Sequence, residues 1–267
     1  MIFTSFWYNV SLDDETVYTR NFDAQNRSVF CPLKSIECFE LWLEYIKKNY
    51  PNEHIYINCP PSPIEIESVI HLFDDNYEFV SETDFEINFG KKYHLRKIKN
   101  DYGYPDGVYY NYILSIKTAF LNKQDLFWID TDCLVNDNFL GGPYQFLCNS
   151  ISHEDIICDQ FFYFIKYTRM AEINAFYDLI GAFEGMWNRY RQGRKRIIVE
   201  MAESGFYCYF CYGKTLAVSS CKIIHASSRE KVVKFLEENP LESPCYRNIL
   251  TKIKEKKIDG TKYIESF

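Results

Sequence analysis

Leu126-Phe127-Trp128-Ile129-Asp130-Thr131-Asp132-Cys133 is the stretch on which the fold turns. Four large apolar residues read as a buried strand, and the strand stops at two acids spaced i, i+2. Side chains alternate along a strand, so Asp130 and Asp132 project to one side while Thr131 points away. In open α/β sheets ligands sit beyond the carboxyl ends of the strands. Two carboxylates at that place suit Mg²⁺ or Mn²⁺, hard cations that complete their shells with water and phosphate oxygens. Acids at a strand-to-loop junction are also ordinary solvated turn formers, and the spacing alone leaves both readings open.

Outward from this strand the chain alternates. Val108 to Asn122 reads as a helix feeding residues 126–129, after a turn cluster at Asp101-Tyr-Gly-Tyr-Pro-Asp-Gly107. Upstream, residues 2–8 read as a first strand, and residues 9–34 as polar and irregular. Ser35 to Tyr50 is an amphipathic helix with Ile36, Phe39, Leu43 and Ile46 at helical spacing, Ser35 as N-cap and Pro51 behind its end. His54 to Asn58 is a second strand. Pro63 opens a helix that continues from Ile64 to Phe73, and Tyr77 to Val80 is a short third strand. The stretch Lys91 to Lys99 reads as merely charged. Downstream, Asp155 to Phe164, Leu216 to Val218 and Lys222 to Ile224 are expected strands. Ala175 to Tyr190 is expected to pass from loop to helix, and Glu200 to Tyr212 and Arg229 to Glu238 are expected helices. Strand–helix alternation predicts an α/β fold, a three-layer α/β/α sandwich with a mostly parallel central sheet. With no repeat or Gly/Ser linker, residues 1–267 are expected to form a single domain with a Lys-rich C-terminal tail.

Composition narrows the function classes. The 267 residues are 47% hydrophobic and 18% aromatic, which excludes a disordered chain. A net charge of −7 argues against a nucleic-acid partner despite the basic cluster at Arg189, Arg191, Arg194, Lys195 and Arg196. The N-terminus lacks the pattern of a signal peptide, and no window reaches the ~18 apolar residues of a membrane span. The expectation is a cytoplasmic protein without a transmembrane segment. Its 10 cysteines are scattered through apolar strings as reduced, buried thiols would be. Cys208-Tyr-Phe-Cys211 has no second pair at zinc-finger spacing, and core packing explains it.

Asp130-Thr131-Asp132 resembles the DxD motif of GT-A-fold glycosyltransferases. Tyr112-Ile-Leu-Ser115-Ile-Lys117-Thr-Ala119 followed by Phe127-Trp128-Ile129-Asp130 is similar to bacterial HtrL-type glycosyltransferase-like proteins. Those carry Ser-x-Lys on a helix before a strand ending W-I-D. Their W-I-D is commonly followed by small residues, whereas this chain adds Asp132. Phe3-Thr4-Ser5-Phe6 resembles the first GT-A strand, whose end cradles the nucleotide base. Phe176-Tyr177-Asp178 with Gly181-Ala-Phe-Glu-Gly185, and Glu200-Met-Ala-Glu203-Ser204, are loosely similar to family-six retaining transferases, which have Asp-Glu-Ser-His at the latter place.

The resemblance implies a metal-dependent transferase that moves a sugar from a UDP- or GDP-sugar to a glycan or glycoconjugate hydroxyl. It implies Thr4, Ser5 and Phe6 at the base, and Lys117 at the nucleotide or its phosphates. Asp132 is the direct ligand of Mn²⁺ or Mg²⁺, and Asp130 holds a second water or the ribose. His225, in Ile223-Ile224-His225-Ala226-Ser227, is a third ligand or a structural hydrogen-bonder. Gly181 and Gly185 let backbone approach the sugar, and Glu203, with Glu200 in reserve, faces the reacting carbon. Asp159-Gln160 resembles an Asp-Gln pair of some retaining transferases. Two rivals stand beside this reading. A haloacid-dehalogenase-like phosphatase also begins with an apolar strand and D-x-D, but expects Thr or Val where Leu134 stands, and expects the motif near the start of the fold. A non-catalytic nucleotide-sugar-binding protein would keep the fold without turnover.

Overall fold

The computed structural model describes residues 1–8, 19–22, 25–28, 36–100, 106–131, 133–136, 138, 146–148, 162–168, 170–171, 223–225 and 229–255. They fall into two compact units: Met1–Trp7, Asn52–Asp130 and Asn138–Ser219 form the first, and Tyr8–Pro51, Thr131–Asp137 and Ser220–Phe267 the second.

The first unit is built on a seven-stranded sheet. Its strands are β1 (Ile2–Ser5), β4 (Ile55–Cys59), β5 (Tyr77–Val80), β6 (Tyr93–Lys97), β7 (Leu126–Ile129), β9 (Phe146–Cys148) and β10 (Phe162–Ile165), in the order β5-β6-β4-β1-β7-β10-β9. Strands β5, β6, β4, β1 and β7 are parallel, and β10 runs antiparallel to both of its neighbours. Ile2, Phe3, Ile55, Tyr56, Ile57, Leu126, Phe127 and Ile129 are buried, as near-continuous apolar runs in a sheet covered on both faces should be.

Register sorts the side chains into rows. Trp128, Phe3, Tyr56, His94 and Glu78 are successive partners across five strands, so they share one face. Helix α2 (Asp106–Leu121) covers that face: Tyr112 sets its ring edge-on to Trp128 at 4.7 Å, and Ser115 Oγ accepts a hydrogen bond from Asn58 Nδ2. On the opposite face Tyr93 meets Phe73 at 4.9 Å between ring centroids. Phe73 ends a 3-10 helix over Ile66–Phe73, which buries Ile66, Val69 and Phe73. The expected α/β architecture, a mostly parallel central sheet with helical elements on both faces, is present.

The second unit holds the hairpin β2 (Thr19–Phe22) with β3 (Gln25–Ser28), and helix α1 (Ile36–Asn49). It also holds β8 (Cys133–Val135) paired antiparallel with β11 (Ile223–His225), and helices α3 (Arg229–Glu238) and α4 (Pro244–Glu255). Cys38, Leu41 and Tyr45 of α1 share a buried core with Leu134, Val232, Phe235, Leu236, Tyr246, Ile249 and Ile253. Asn49 Nδ2 donates to the Val135 carbonyl at 3.1 Å and ties α1 to β8.

Several local expectations need correction. The charged stretch Lys91 to Lys99 contains β6, an interior strand, because His94 and Arg96 are buried inside the sheet rather than solvated. The helix expected from Pro63 to Phe73 is a 3-10 helix beginning only at Ile66, with no side-chain cap from Glu65 and with Asp74 in the left-handed region at φ 51°. Polar residues 9–34 include the β2–β3 hairpin. The strand expected from Asp155 to Phe164 is described only as Phe162–Ile165. The elements expected at 175–190, 200–212 and 216–218 lie outside the described residues.

The Glu78–His94 pair makes the stability of this sheet pH-dependent. His94 is fully buried, and its Nδ1 lies 2.8 Å from Glu78 Oε1. Desolvation by burial holds its pKa below the ordinary imidazole value, against the pull of Glu78. An unfolded chain protonates His94 near pH ~6.5 while the folded chain resists. Its contribution is therefore complete above that pH and is lost as the pH falls through it toward the depressed folded value. Urea unfolding between pH 8 and 5 should show stability declining below about 6.5, with a shallower decline in His94→Gln; identical slopes would contradict this account.

Candidate functional site

From β1 the chain proceeds to one side of the sheet, to β4 and β6, and then returns across it through α2 to β7 on the other side. The reversal lies between β1 and β7, the topological switch point at which open α/β sheets bind ligands beyond the carboxyl ends of their strands. Ser5, Phe6 and Asp130 stand at those ends.

The row after Trp128–Phe3–Tyr56–His94 is polar. Ser5 pairs with Asn58 and Asn58 with Arg96. Phe3 pairs with Trp128, and Asp130, two residues beyond Trp128, follows it at the carboxyl end of β7 as Ser5 follows Phe3 at the end of β1. The i, i+2 spacing does local work: Trp128 Nε1 donates to Asp130 Oδ1 at 2.6 Å and fixes the half-buried carboxylate.

Helix α2 closes over this row. Asn58 Nδ2 donates to the Asn111 carbonyl and to Ser115 Oγ, both at 3.1 Å. Asn111 Nδ2 donates to the Gly107 carbonyl at 2.8 Å and to Ser5 Oγ at 3.5 Å. Phe6 N donates to the Asn58 carbonyl at 2.8 Å, which carries the β1–β4 ladder past Ser5. Among the described residues of the first unit, four buried polar atoms have no hydrogen-bond partner: Thr4 Oγ1, Asn58 Oδ1, Asn111 Oδ1 and Arg96 Nε.

Arg96 anchors the inner end of the row. Its guanidinium is fully buried between the Tyr56 and Phe85 rings, 4.5 and 4.9 Å from their centroids. It donates to Leu114 O, Tyr56 Oη, Asp84 O and Thr118 Oγ1. No carboxylate among the described residues pairs with it, and burial lowers its pKa from the ordinary guanidinium value. Burial likewise raises the Tyr56 phenol to about 12, partly offset by Arg96.

The structure thus brings Ser5, Phe6 and Asp130 to one end of the sheet. Thr4 is buried there too, but its register partner is Ile57, which places it on the opposite face from Ser5. Lys117 lies six residues beyond Asn111, about 9 Å along the helix axis. Its ammonium sits 4.3 Å from the Phe85 ring centroid, so the Ser-x-Lys element divides: Ser115 faces Asn58 and Lys117 faces Phe85. In the second unit the backbone of His225 pairs with Cys133, the residue after Asp132. Asp132, Asp159, Gln160, Gly181, Gly185, Glu200 and Glu203 lie outside the described residues. Among the described residues, one group of three metal-capable side chains is close together: Glu40, Glu44 and Cys245 on α1 and α4. Burial raises the pKa of both Glu44 and Cys245 above their ordinary values.

Sequence reasoning missed Asn58, Arg96 and Asn111. For Asn58 a signal existed: Ile55-Tyr-Ile-Asn58 is an apolar strand ending in a polar residue, the same pattern as Leu126 to Asp130. For Asn111 and Ser115 there was only their i, i+4 spacing on a helix that is apolar nearly all round.

No protein-family model matches the chain, and no curated protein is similar to it. Among solved structures, a nucleoside-diphosphate-sugar pyrophosphorylase from Vibrio cholerae RC9 is similar at 10% identity and TM-score 0.40, over 89% of this chain and all of that one. PaToxG glycosyltransferase is similar at 11% identity and TM-score 0.35, over 98% of this chain and 81% of that one. No described helix is long and apolar enough to cross a membrane.

The Arg96 network yields a stability prediction. Tyr56→Phe removes one acceptor from a fully buried cation and changes little else. Hydrogen bonds to charged groups contribute about 1.5–3 kcal/mol, and unfolding stability should fall by that order in chemical denaturation. A change near zero would mean that another acceptor replaces the hydroxyl.

Proposed function

We propose that this chain is a metal-dependent glycosyltransferase that moves a sugar from a nucleoside-diphosphate-sugar to a hydroxyl of a glycan or glycoconjugate. The observation that carries the reading is the switch point between β1 and β7. Buried apolar strands there end in Ser5 and in an Asp130 held by Trp128, under a helix that supplies Asn111. The end of β1, from Thr4 to Phe6, is assigned to the nucleoside. Asp130 is assigned to the ribose or a metal-bound water, and Asp132 and His225 to Mn²⁺ or Mg²⁺. Carboxylate oxygen and imidazole suit either ion, Mn²⁺ the better with a nitrogen ligand. Such an ion stabilises negative charge on a departing diphosphate as a Lewis acid. Gly181 and Gly185 are assigned to the sugar, and Glu203 to the reacting centre, with Glu200 as the alternative acid. Lys117, whose ammonium lies over the Phe85 ring, is assigned to the nucleotide or its phosphates.

A thermal-shift panel of nucleotide-sugars with and without Mn²⁺ tests the reading, because a ligand that binds the folded chain raises its stability by mass action. Stabilisation by a nucleotide-sugar only when Mn²⁺ is present is expected; no response to any donor would reject it.

Two substitutions separate metal from chemistry. Asp132→Ala should abolish metal-dependent binding of UDP or GDP while circular dichroism stays that of the parent; retained affinity would remove Asp132 from the metal. Glu203→Gln keeps the shape of the side chain but cannot take a proton or bear charge. Donor affinity should stay near that of the parent while turnover falls by ~10²-fold or more. Equal losses in binding and turnover would instead make Glu203 structural.

A further inference from the structure

Away from the switch point, at the amino ends of β4 and β6, two histidines and a glutamate form a chain whose hydrogens the network assigns. His54 Nδ1 lies 2.7 Å from the Lys91 carbonyl oxygen, which can only accept, so Nδ1 carries the hydrogen and donates it. His94 Nε2 lies 3.5 Å from that same Nδ1 and therefore turns a lone pair toward a donor. The hydrogen of neutral His94 is then on Nδ1, which donates to Glu78 Oε1 at 2.8 Å. Glu78 of β5 and His54 are the groups whose charge acts on His94. Tyr56 of β4 stacks on its ring at 5.3 Å and turns its hydroxyl to Arg96, two residues along β6. Lys117 and Tyr110 of α2 are turned to Phe85 and Glu82.

The same side chains hold the exposed segment Asn88–Lys91 against the sheet. Asn88 Nδ2 donates to Glu78 Oε2 at 3.1 Å, Phe89 sets its ring edge-on to His54 at 5.2 Å, and the Lys91 carbonyl takes the His54 hydrogen. Lys91 Nζ also reaches the Asp75 carbonyl at 3.2 Å, a solvent-exposed contact. The segment hangs between firmer anchors: Ile87 N donates to Asn122 Oδ1, and the Lys92 carbonyl accepts from Ile55 N. We infer that Asn88–Lys91 is a pH-operated latch, which a single proton taken up at His94 Nε2 releases from His54.

The release follows from donor and acceptor chemistry. An imidazolium donates from both nitrogens. With the solvent proton on His94 Nε2, Nδ1 still serves Glu78, but Nε2–H now points at the Nδ1–H of His54. Either His54 rotates away, or it exchanges its hydrogen through solvent to its own Nε2 and accepts from His94. In the second case a lone pair on His54 Nδ1 faces the Lys91 oxygen at what is now 2.7 Å. Both routes break the His54–Lys91 bond and withdraw the ring on which Phe89 rests. Burial, the largest influence on His94, opposes the added proton and Glu78 favours it, so the latch opens below the ordinary imidazole range near pH ~6.5.

Long-range proton–nitrogen NMR of the imidazoles in the full chain, followed from pH 8 to 5 beside amide hydrogen exchange, tests the inference. At pH 8 both histidines should carry hydrogen on Nδ1 alone. As His94 gains its second proton, the Nδ1–H signal of His54 should disappear. In step with it, protection of the Gly90 and Lys91 amides, which donate to Asn88 Oδ1 and O, should fall roughly tenfold while Leu95 inside β6 stays protected. His94→Gln, which cannot titrate, should keep the segment closed at pH 5. Opening of that variant at the same pH as the parent would assign the event to another group and overturn the latch. So, without any variant, would a His54 that carries its hydrogen on Nε2 at pH 8. A His94 still neutral at pH 5, or one that protonates while the His54 signal and the segment's protection persist, would overturn it as well.

Discussion

A guanidinium with no exposed surface, inside a parallel sheet and without a carboxylate partner among the described residues, constrains everything around it. A buried charge is tolerated only when its hydrogen bonds are met, since bare desolvation is worth many kcal/mol. Arg96 meets those of its two terminal nitrogens with groups from β4, from α2 and from the loop before β6, its Nε alone having no partner among the described residues, and two aromatic rings enclose its faces. Lysine, a point charge without the planar fork, could not reach the same set. The arginine thus fixes where α2 lies over β4 and β6, because Leu114 O and Thr118 Oγ1 must both come within reach of its nitrogens.

That placement has consequences at the strand ends. With Leu114 and Thr118 fixed, Asn111 and Ser115 come to lie over Ser5 and Asn58, and Tyr112 against Trp128. Trp128 in turn holds Asp130. An interior charge is thereby linked through one helix to a polar row at the switch point. The orphan oxygens of Asn58 and Asn111 are a local departure from the rule that buried polar groups are satisfied, and such departures concentrate where proteins bind and react.

How much of this could be read from the sequence depended on whether chemistry and burial agreed. Leu126 to Ile129 and Tyr77 to Val80 are apolar or aromatic and bounded by turn residues, and both strands fall where the pattern puts them. Helix α1 was equally legible, although its apolar surface is wider than the stripe of Ile36, Phe39, Leu43 and Ile46, since Cys38, Leu41 and Tyr45 are buried too. Strand β6 was opaque because Tyr93-His-Leu-Arg-Lys97 buries its histidine and arginine, and local polarity cannot announce tertiary partners 12 to 40 residues away. At the site Asp130 and Ser5 were legible as polar residues ending apolar strands. Asn111 was not, because only the crossing of α2 over β1 gives it a partner at Ser5.

The central claim is that the carboxyl ends of β1, β4 and β7, roofed by the start of α2, form the ligand site. Amide hydrogen exchange, compared with and without a nucleoside diphosphate and Mn²⁺, tests it directly, because ligand contacts suppress local opening. The account predicts added protection concentrated at residues 5–7, 58–60, 107–112 and 130–131, with little change along β5 and the 3-10 helix. Protection centred on β5 or the 3-10 helix, with the switch-point segments unchanged, would contradict it.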